Sequence, residues 1–581
     1  MPRQRAGILA VRAVNQYRRR DVLTYLALRY YLDNEAARTD HWVKEVATDL
    51  ILKRSNQPYF RAFHFKDGSH RSGVEHRLMF LPGANEALAE AALLAECARH
   101  PQAFGNPDCV FSYQLATGED RSGIFAHYTA GLRARHAAIA QACDDCSDGV
   151  VRYLDLKKFY PSVHPDLARN AWGKVADQAG LAARWRELGE KLIADHASAT
   201  EGQKPSILTG PMFSHLIGNL VLRDIDEKLD GLDGVQYFRY VDDITLVGRT
   251  EHVRNAVKSI RSIVGELGLE AHDDHSPKSL LVSSGEWVQG RHDFQDSRRS
   301  ISWKTLIGDL KRYLIANPDA REPLREAFIG EGMRIPVRDY SEAVFERGYL
   351  QKIQEWSRFS WFWRKKREVT MDSLLNQARA LKDQFEAEFM ELMAEYPSAS
   401  AYGKKRLIPK LRYRAGRLNY LAADDTLLVQ AKLADSIPEL HLQSMVMTAT
   451  ATKQLDQLLE LGTNAAQAVA QPLRAGGHIA QVSLQQLTEP QIQALAVFQL
   501  NGVTVQKSSM LGAKRSDLLV FSEQGTTKDL MRSGDLFIRE LACLHGLSEK
   551  PRHPSMLESV FDEDEELAVD AVEQLQESLS L

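Results

Sequence analysis

The chain has 581 residues, 44% of them hydrophobic and 26% charged, with a formal net charge of −4. Such length and apolar content imply several domains and a sizeable core, while the near balance of acids and bases excludes a uniformly basic nucleic-acid protein, so any basic surface is local. No run of about 18 apolar residues is present, and the start Met1-Pro2-Arg3-Gln4-Arg5 lacks a signal-peptide core. The five cysteines, Cys97, Cys109, Cys143, Cys146 and Cys543, are an odd and sparse set, unlike a disulfide framework. A cytoplasmic protein without a membrane segment is therefore expected.

Residues 1 to about 60 read as helical, with Arg18-Arg19-Arg20 before an amphipathic run from Val22 to Leu32 and a second helix from Val43 to Leu52. Two short segments then carry cations, Phe65-Lys66-Asp67-Gly68 and Arg77-Leu78-Met79-Phe80-Leu81-Pro82. Each is either a solvated surface charge or a phosphate contact. An Ala-rich helix is expected over Ala84 to His100. Cys143-Asp144-Asp145-Cys146 finds no second Cys or His pair to complete a zinc site.

From Val150 to Asp155 an apolar strand delivers a carboxylate at its end, followed by Leu156, Lys157, Lys158, Phe159 and Tyr160. Ser206-Ile207-Leu208-Thr209-Gly210-Pro211 reads as a turn, and the spacing of Phe213, Leu216, Ile217, Leu220 and Val221 predicts a helix packed beneath a sheet. Phe238 to Leu246 reads as a strand, a tight turn presenting Asp242 and Asp243, and a second strand. Carboxylates from two strands can converge on one pair of Mg²⁺ ions, which prefer oxygen ligands and clamp both oxygens of an in-line phosphoryl displacement. Uncompensated, the acids would repel one another and hold their protons. Gly268-Leu269-Glu270 leads on to Lys278.

Beyond residue 300 the patterns become helical. Trp356 to Arg367 joins aromatics to cations, with Arg358, Trp361, Trp363, Arg364, Lys365, Lys366 and Arg367 suited to stacking bases and neutralising phosphates. A Trp-anchored helix with solvated charges is the alternative. Lys404, Lys405 and Arg406, continuing through Lys410, Arg412, Arg414 and Arg417, form a second basic run. Residues from about 370 to 550 are rich in Leu, Ala and Gln without a clean repeat period, and the tail from Asp562 to Glu566 is acidic.

Asp155 with Tyr160, the Thr-Gly-Pro-x-x-Ser helix start and the Tyr-Val-Asp-Asp turn occur in the order and spacing of a reverse-transcriptase palm, and the chain resembles bacterial reverse transcriptases. The resemblance implies an α+β, right-hand polymerase: N-terminal helices and fingers (1–149), palm with a split βαβ sheet (150–300), thumb-like helices (301–350), an α-helical C-terminal domain (351–560) and the acidic tail (561–581). It implies that Asp155, Asp242 and Asp243 are catalytic and hold two Mg²⁺ ions together with Leu156, which also adjoins the nucleotide. Lys66, Arg77, Thr209, Gly210 and Lys278 become nucleotide contacts, with Lys278 near the triphosphate as a proton donor. Tyr160 becomes an aromatic steric gate that excludes a ribose 2′-hydroxyl and so favours dNTPs.

One departure is that Ser206-Ile207-Leu208-Thr209 stands where most members have Gly-x-Pro-Gln, although Thr209 keeps a hydroxyl donor. Retron, maturase, endonuclease and RNase H signatures are not found. The Thr-Gly-Pro-x-x-Ser variant, the stretch from Val110 to Phe125 and the long tail look most like the abortive-infection and defence-associated "unknown group" enzymes. That implies antiphage defence, with a dedicated noncoding RNA as template, or untemplated synthesis primed by a hydroxyl of the protein, which would leave DNA attached to it. A homo-oligomer or partner protein is a further expectation. An RNA-making polymerase and an inactive nucleic-acid-binding scaffold are the rivals.

Overall fold

The computed structural model describes residues 59–542, apart from 70–72, 117–122, 127, 201–203, 275, 277, 291–297, 338–368, 485, 508–515, 536–537 and 540, together with residues 9, 12, 13, 16, 17, 23 and 52. It is a mixed α+β protein dominated by helices. The basic N-terminal run Arg18–Arg20, the aromatic–cationic segment from Trp356 to Arg367 and the acidic tail lie outside the described residues. Among the described residues no helix is long and apolar enough to cross a membrane.

The chain divides into two units. The first comprises Met1–Ala62, Leu78–Gln295 and Leu579–Leu581, the second Phe63–Arg77 and Asp296–Ser578. The opening hairpin, β1 (Phe60–Ser69) and β2 (Gly73–Leu81), thus has its outer part in the second unit.

In the first unit α1 (Ala84–Cys97) and the short α2 (Pro101–Phe104) precede α3 (Tyr128–Asp145) and β3 (Val150–Asp155). Next come α4 (Phe159–Ser162), α5 (Pro165–Gln178), α6 (Ala183–Ala199) and α7 (Met212–Asp230). The hairpin of β4 (Val235–Tyr240) and β5 (Asp243–Gly248) leads into α8 (Thr250–Glu266), β6 (Leu281–Ser283) and α9 (Ser284–Gln289). The sheet order is β4-β5-β3-β6, and its three pairings are antiparallel.

The sheet rests on helices whose spacing dictates it. Val253, Ala256, Val257, Ile260 and Val264 form a single buried stripe on α8, and each fully buried Val or Ile contributes roughly 1.5–3 kcal/mol. Helix α7 is buried on most of its surface, from Met212 through Leu222, as befits an element with neighbours on several sides. Its first amides are satisfied from outside the helix. Met212 N–H donates to Tyr17 Oη (2.9 Å) and Phe213 N–H to Glu90 Oε2 (3.2 Å), while Tyr17 O–H donates to the same Glu90 oxygen (3.1 Å). Burial pushes the Glu90 carboxyl up to about 8, against those hydrogen bonds.

In the second unit α10 (Arg298–Ala316) and α11 (Arg321–Gly330) precede α12 (Met371–Glu395) and α13 (Ala401–Leu421). Thr370 and Ser373 form a capping box at the start of α12, and Leu374, Ala378, Leu381, Phe385, Phe389 and Leu392 bury one face of it. The order continues with α14 (Asp424–Ala434), α15 (His441–Thr452), α16 (Asp456–Leu459), α17 (Thr463–Ala475), β7 (Ala480–Val482), α18 (Glu489–Leu500), β8 (Val505–Lys507) and α19 (Asp517–Gln524). Strands β7 and β8 pair in parallel.

The outer part of the β1–β2 hairpin packs within this unit. His64 bridges Gly462, whose φ is +90° and whose added Cβ would lie 1.9 Å from the Phe63 carbonyl. His76 Nε2 meets the Glu460 carbonyl at 2.5 Å. Only glycine fits such an approach.

Candidate active site

The β4–β5 turn consists of Val241 and Asp242, because Tyr240 pairs directly with Asp243. Two-residue hairpins favour glycine where φ is positive, yet here the β-branched Val241 takes φ +59°. Strain of this kind, of order 1–3 kcal/mol, persists where the surroundings over-determine it. Val241 N–H donates to Ser112 Oγ (2.8 Å), and Arg239 Nη1 donates to the Val241 carbonyl (2.8 Å). Arg239, 1% exposed, is itself gripped by Asp226 of α7 through Nε (2.7 Å) and Nη2 (2.6 Å). Tyr237 O–H donates to the same carboxylate at 2.8 Å, and Arg239 Nη1 also reaches Asn219 Oδ1 at 3.1 Å.

This scaffold assembles the acids. Across β3 and β5, Asp155 stands opposite Asp243, with Asp242 in the adjoining turn. Leu156 N–H donates to the Asp242 carbonyl at 3.3 Å, its side chain being buried. His272 N–H donates to the Asp155 carbonyl (2.9 Å) and Lys157 N–H to that of Glu270 (2.7 Å), so the Glu270–His272 segment runs beside the end of β3. From the same loop Lys278 Nζ donates to Asp155 Oδ2 at 2.5 Å, and His272 Nε2 lies 3.4 Å from that oxygen.

Burial, then the charge of Asp242 and with it Asp155, pushes the Asp243 carboxyl well above the carboxylate range, against Arg135 and Lys278. Arg135 of α3 is fixed by a 2.6 Å bond to Thr245 Oγ1. Burial lowers the pKa of His272 although Asp155 opposes it.

Among the described residues no three His, Cys, Asp or Glu side chains form a ready-made cage for a metal ion. The donor chemistry nevertheless fits a hard divalent cation. Asp155, Asp242 and Asp243 all lie at one end of the sheet, and burial together with the charges of Asp242 and Asp155 raises the proton affinity of Asp243.

Tyr160 stands beside this end of the sheet in sequence, in α4, which is reached through Lys158 at φ +45°. Its Oη and His215 Nδ1 share a hydrogen bond of 2.6 Å. Thr209 and Gly210 dock on β2: the Thr209 carbonyl accepts from Phe80 N–H at 2.8 Å, and at Gly210 (φ +126°) a Cβ would lie 2.3 Å from the Phe80 carbonyl. Lys66 is exposed and pairs with Glu75 (2.5 Å), an ion pair worth little on a surface. Arg77 is half-buried, and both cations belong to the second unit whereas the acids belong to the first.

The second basic run divides into a half-buried and a buried part. Lys404, Lys405 and Arg406 are half-buried, with Lys404 5.4 Å from the Tyr396 ring and Arg406 5.8 Å from the Tyr402 ring. Arg412, Arg414 and Arg417, however, are buried. Arg412 donates to the Glu439 carbonyl (2.9 Å), Arg414 pairs with Glu388, and Arg417 lies over the Tyr413 and Trp303 rings. Their alternating spacing on a helix buried on more than one side places them in packing, not on a continuous basic surface. The other nucleic-acid candidates, Arg358, Trp361, Trp363, Arg364, Lys365, Lys366 and Arg367, lie outside the described residues.

Sequence reasoning missed Arg135, His215, Asp226 and His272. Arg239 gave a signal, since a cation inside an apolar strand requires a buried partner. No protein-family model matches the chain, and no curated protein matches it.

Proposed function

We propose that the chain is a nucleotidyl-transferring DNA polymerase of reverse-transcriptase type, with a right-hand α+β fold. The observation that carries this reading is the strand register that sets Asp155 against Asp243 beside Asp242. Asp155, Asp242 and Asp243 would hold two Mg²⁺ ions, which when bound stabilise the attacking and leaving oxygens of an in-line displacement. In the reaction a hydroxyl oxygen bonds to the α-phosphorus of a dNTP, the bond to pyrophosphate breaks, and the hydroxyl gives its proton up to water. Lys278 Nζ donates a proton to the departing pyrophosphate, and the Tyr160 ring excludes a 2′-hydroxyl from the incoming sugar. The Arg239–Asp226 pair and Ser112 keep the Asp242 turn in its strained geometry, so that no reorganisation is needed during the step.

The resemblance supports the biological setting: antiphage defence, with a noncoding RNA as template and DNA as product. Untemplated synthesis primed by a hydroxyl of the protein is the alternative.

The test is to purify the protein with its bound nucleic acid, add Mg²⁺ and each labelled dNTP or NTP, and compare it with Asp242→Asn/Asp243→Asn. DNA synthesis lost in the variant and abolished by RNase establishes an RNA-templated enzyme. Label that survives RNase and is attached to protein establishes the alternative. Incorporation of NTPs alone, or of no nucleotide, overturns the reading.

A further inference from the structure

Helix α4 has four residues and cannot by itself fix the orientation of a ring it carries. Tyr160 is nevertheless held on two sides by α7. At its tip is the 2.6 Å hydrogen bond to His215 Nδ1. Along its flank lies Gly218, where an added Cβ would come 3.3 Å from Tyr160 Cε1 and 3.0 Å from Phe159 Cε1.

His215 is in turn immobilised. It is 2% exposed, and its ring stacks on Tyr113 with centroids 3.7 Å apart and planes 6° from parallel. Phe125 meets the same imidazole edge-on at 6.1 Å. Tyr113 has φ +48°, uncommon for a residue with a side chain. The loop containing Tyr113 is tied into the same framework, since Asn219 Nδ2 donates to the Ser112 carbonyl at 3.1 Å. Selection against one sugar oxygen depends on ring placement to a fraction of an ångström. A phenol tethered at its hydroxyl keeps that placement, whereas an untethered ring can swing.

We propose that His215 is a positioning residue that fixes the Tyr160 ring for discrimination between deoxyribose and ribose, a role that rests on the polymerase reading above. Tyr113 is the platform that holds the imidazole. The tether acts on selectivity and not on the chemical step, because His215 bonds the phenol at its hydroxyl.

The experiment measures kcat and KM for one dNTP and the matching NTP with wild type, Tyr160→Phe, His215→Phe, the double variant, His215→Asn and Tyr160→Ala. His215→Phe keeps a ring on Tyr113 but removes the bond, Tyr160→Phe removes it without altering the core, and the amide oxygen of His215→Asn overlays Nδ1. Expected is a fall of about tenfold in the dNTP-to-NTP ratio of kcat/KM for each Phe single variant, in line with the loss of one hydrogen bond. The double variant should be no worse than the singles, His215→Asn should recover selectivity, and kcat for the dNTP should be little changed in His215→Phe and His215→Asn. An unchanged ratio in Tyr160→Phe and His215→Phe, while Tyr160→Ala admits NTPs, overturns the tether and leaves the polymerase intact. Additive losses in the double variant overturn it too. If His215→Phe fails to fold, Tyr160→Phe alone decides. No incorporation by the wild type is the separate result that removes the polymerase reading and the tether with it.

Discussion

At the residue scale, the acidic turn depends on groups that do no chemistry themselves. Arg239 and Asp226 are 1% and 0% exposed, and removing one partner leaves a buried charge uncompensated. Arg239→Met should therefore cost about 3–5 kcal/mol in urea unfolding, and Arg239→Met/Asp226→Leu should cost less than that single change. Equal or greater loss in the double variant would show that the pair contributes net stability beyond charge balance. Gly210→Ala faces both φ +126° and the Phe80 carbonyl at 2.3 Å, so a loss of at least about 1–3 kcal/mol is expected in the same assay. The gathering of Asp155, Asp242 and Asp243 at one end of the sheet was legible because Asp155 ends an apolar strand and Asp242-Asp243 lies at the turn between two others. Asp226 was not, since nothing local distinguishes a helical Asp facing a buried guanidinium from one facing water. His215 was hidden for the same reason, its partners Tyr160 and Tyr113 being brought to it only by the fold.

At the element scale, the start of α7 carries a pH dependence. Glu90 has its proton affinity raised to about 8 from 4.5, so the folded state binds more protons than the unfolded one across that window. Its contribution to stability is present below about 4.5 and is lost as pH rises towards 8, with a slope of at most about 1.4 kcal/mol per pH unit. Glu90→Gln should flatten the slope and be more stable than wild type at pH 8, as read by chemical unfolding across the window. Tyr17, Glu86, Tyr59 and Asp195 share this environment, so the comparison between variant and wild type isolates the one proton. At the sheet end, millimolar Mg²⁺ should raise the melting temperature of the wild type and not of Asp242→Asn/Asp243→Asn, because a ligand of the folded state stabilises it by mass action. The strand–turn–strand at Phe238 to Leu246, the strand ending at Asp155 and the helix after Gly210-Pro211 were readable from period and turn residues. The burial of Arg412, Arg414 and Arg417 on α13 was not legible because charge in sequence does not report on burial, and guanidinium groups packed on aromatic rings can occupy a helical core.

At the scale of the whole molecule, the division between units does not follow the chain. Phe63–Arg77 belongs with residues that begin at Asp296, which no periodicity in the sequence announces because the association is long-range. A fragment spanning 296–578 would lack the strand that lies on Gly462 and the imidazole at Glu460. It should melt less cooperatively than the same fragment joined to 63–77, a difference measurable by circular dichroism. The bond between His64 and Asn464 spans 400 positions. On a ribosome adding about 5–20 residues per second, the early hairpin must wait about 20–80 s for its permanent neighbours to be made. During that interval its outer strand segments are open to mispairing with other nascent chains, so the pace of translation and the presence of chaperones bear on how much of this protein reaches its native state.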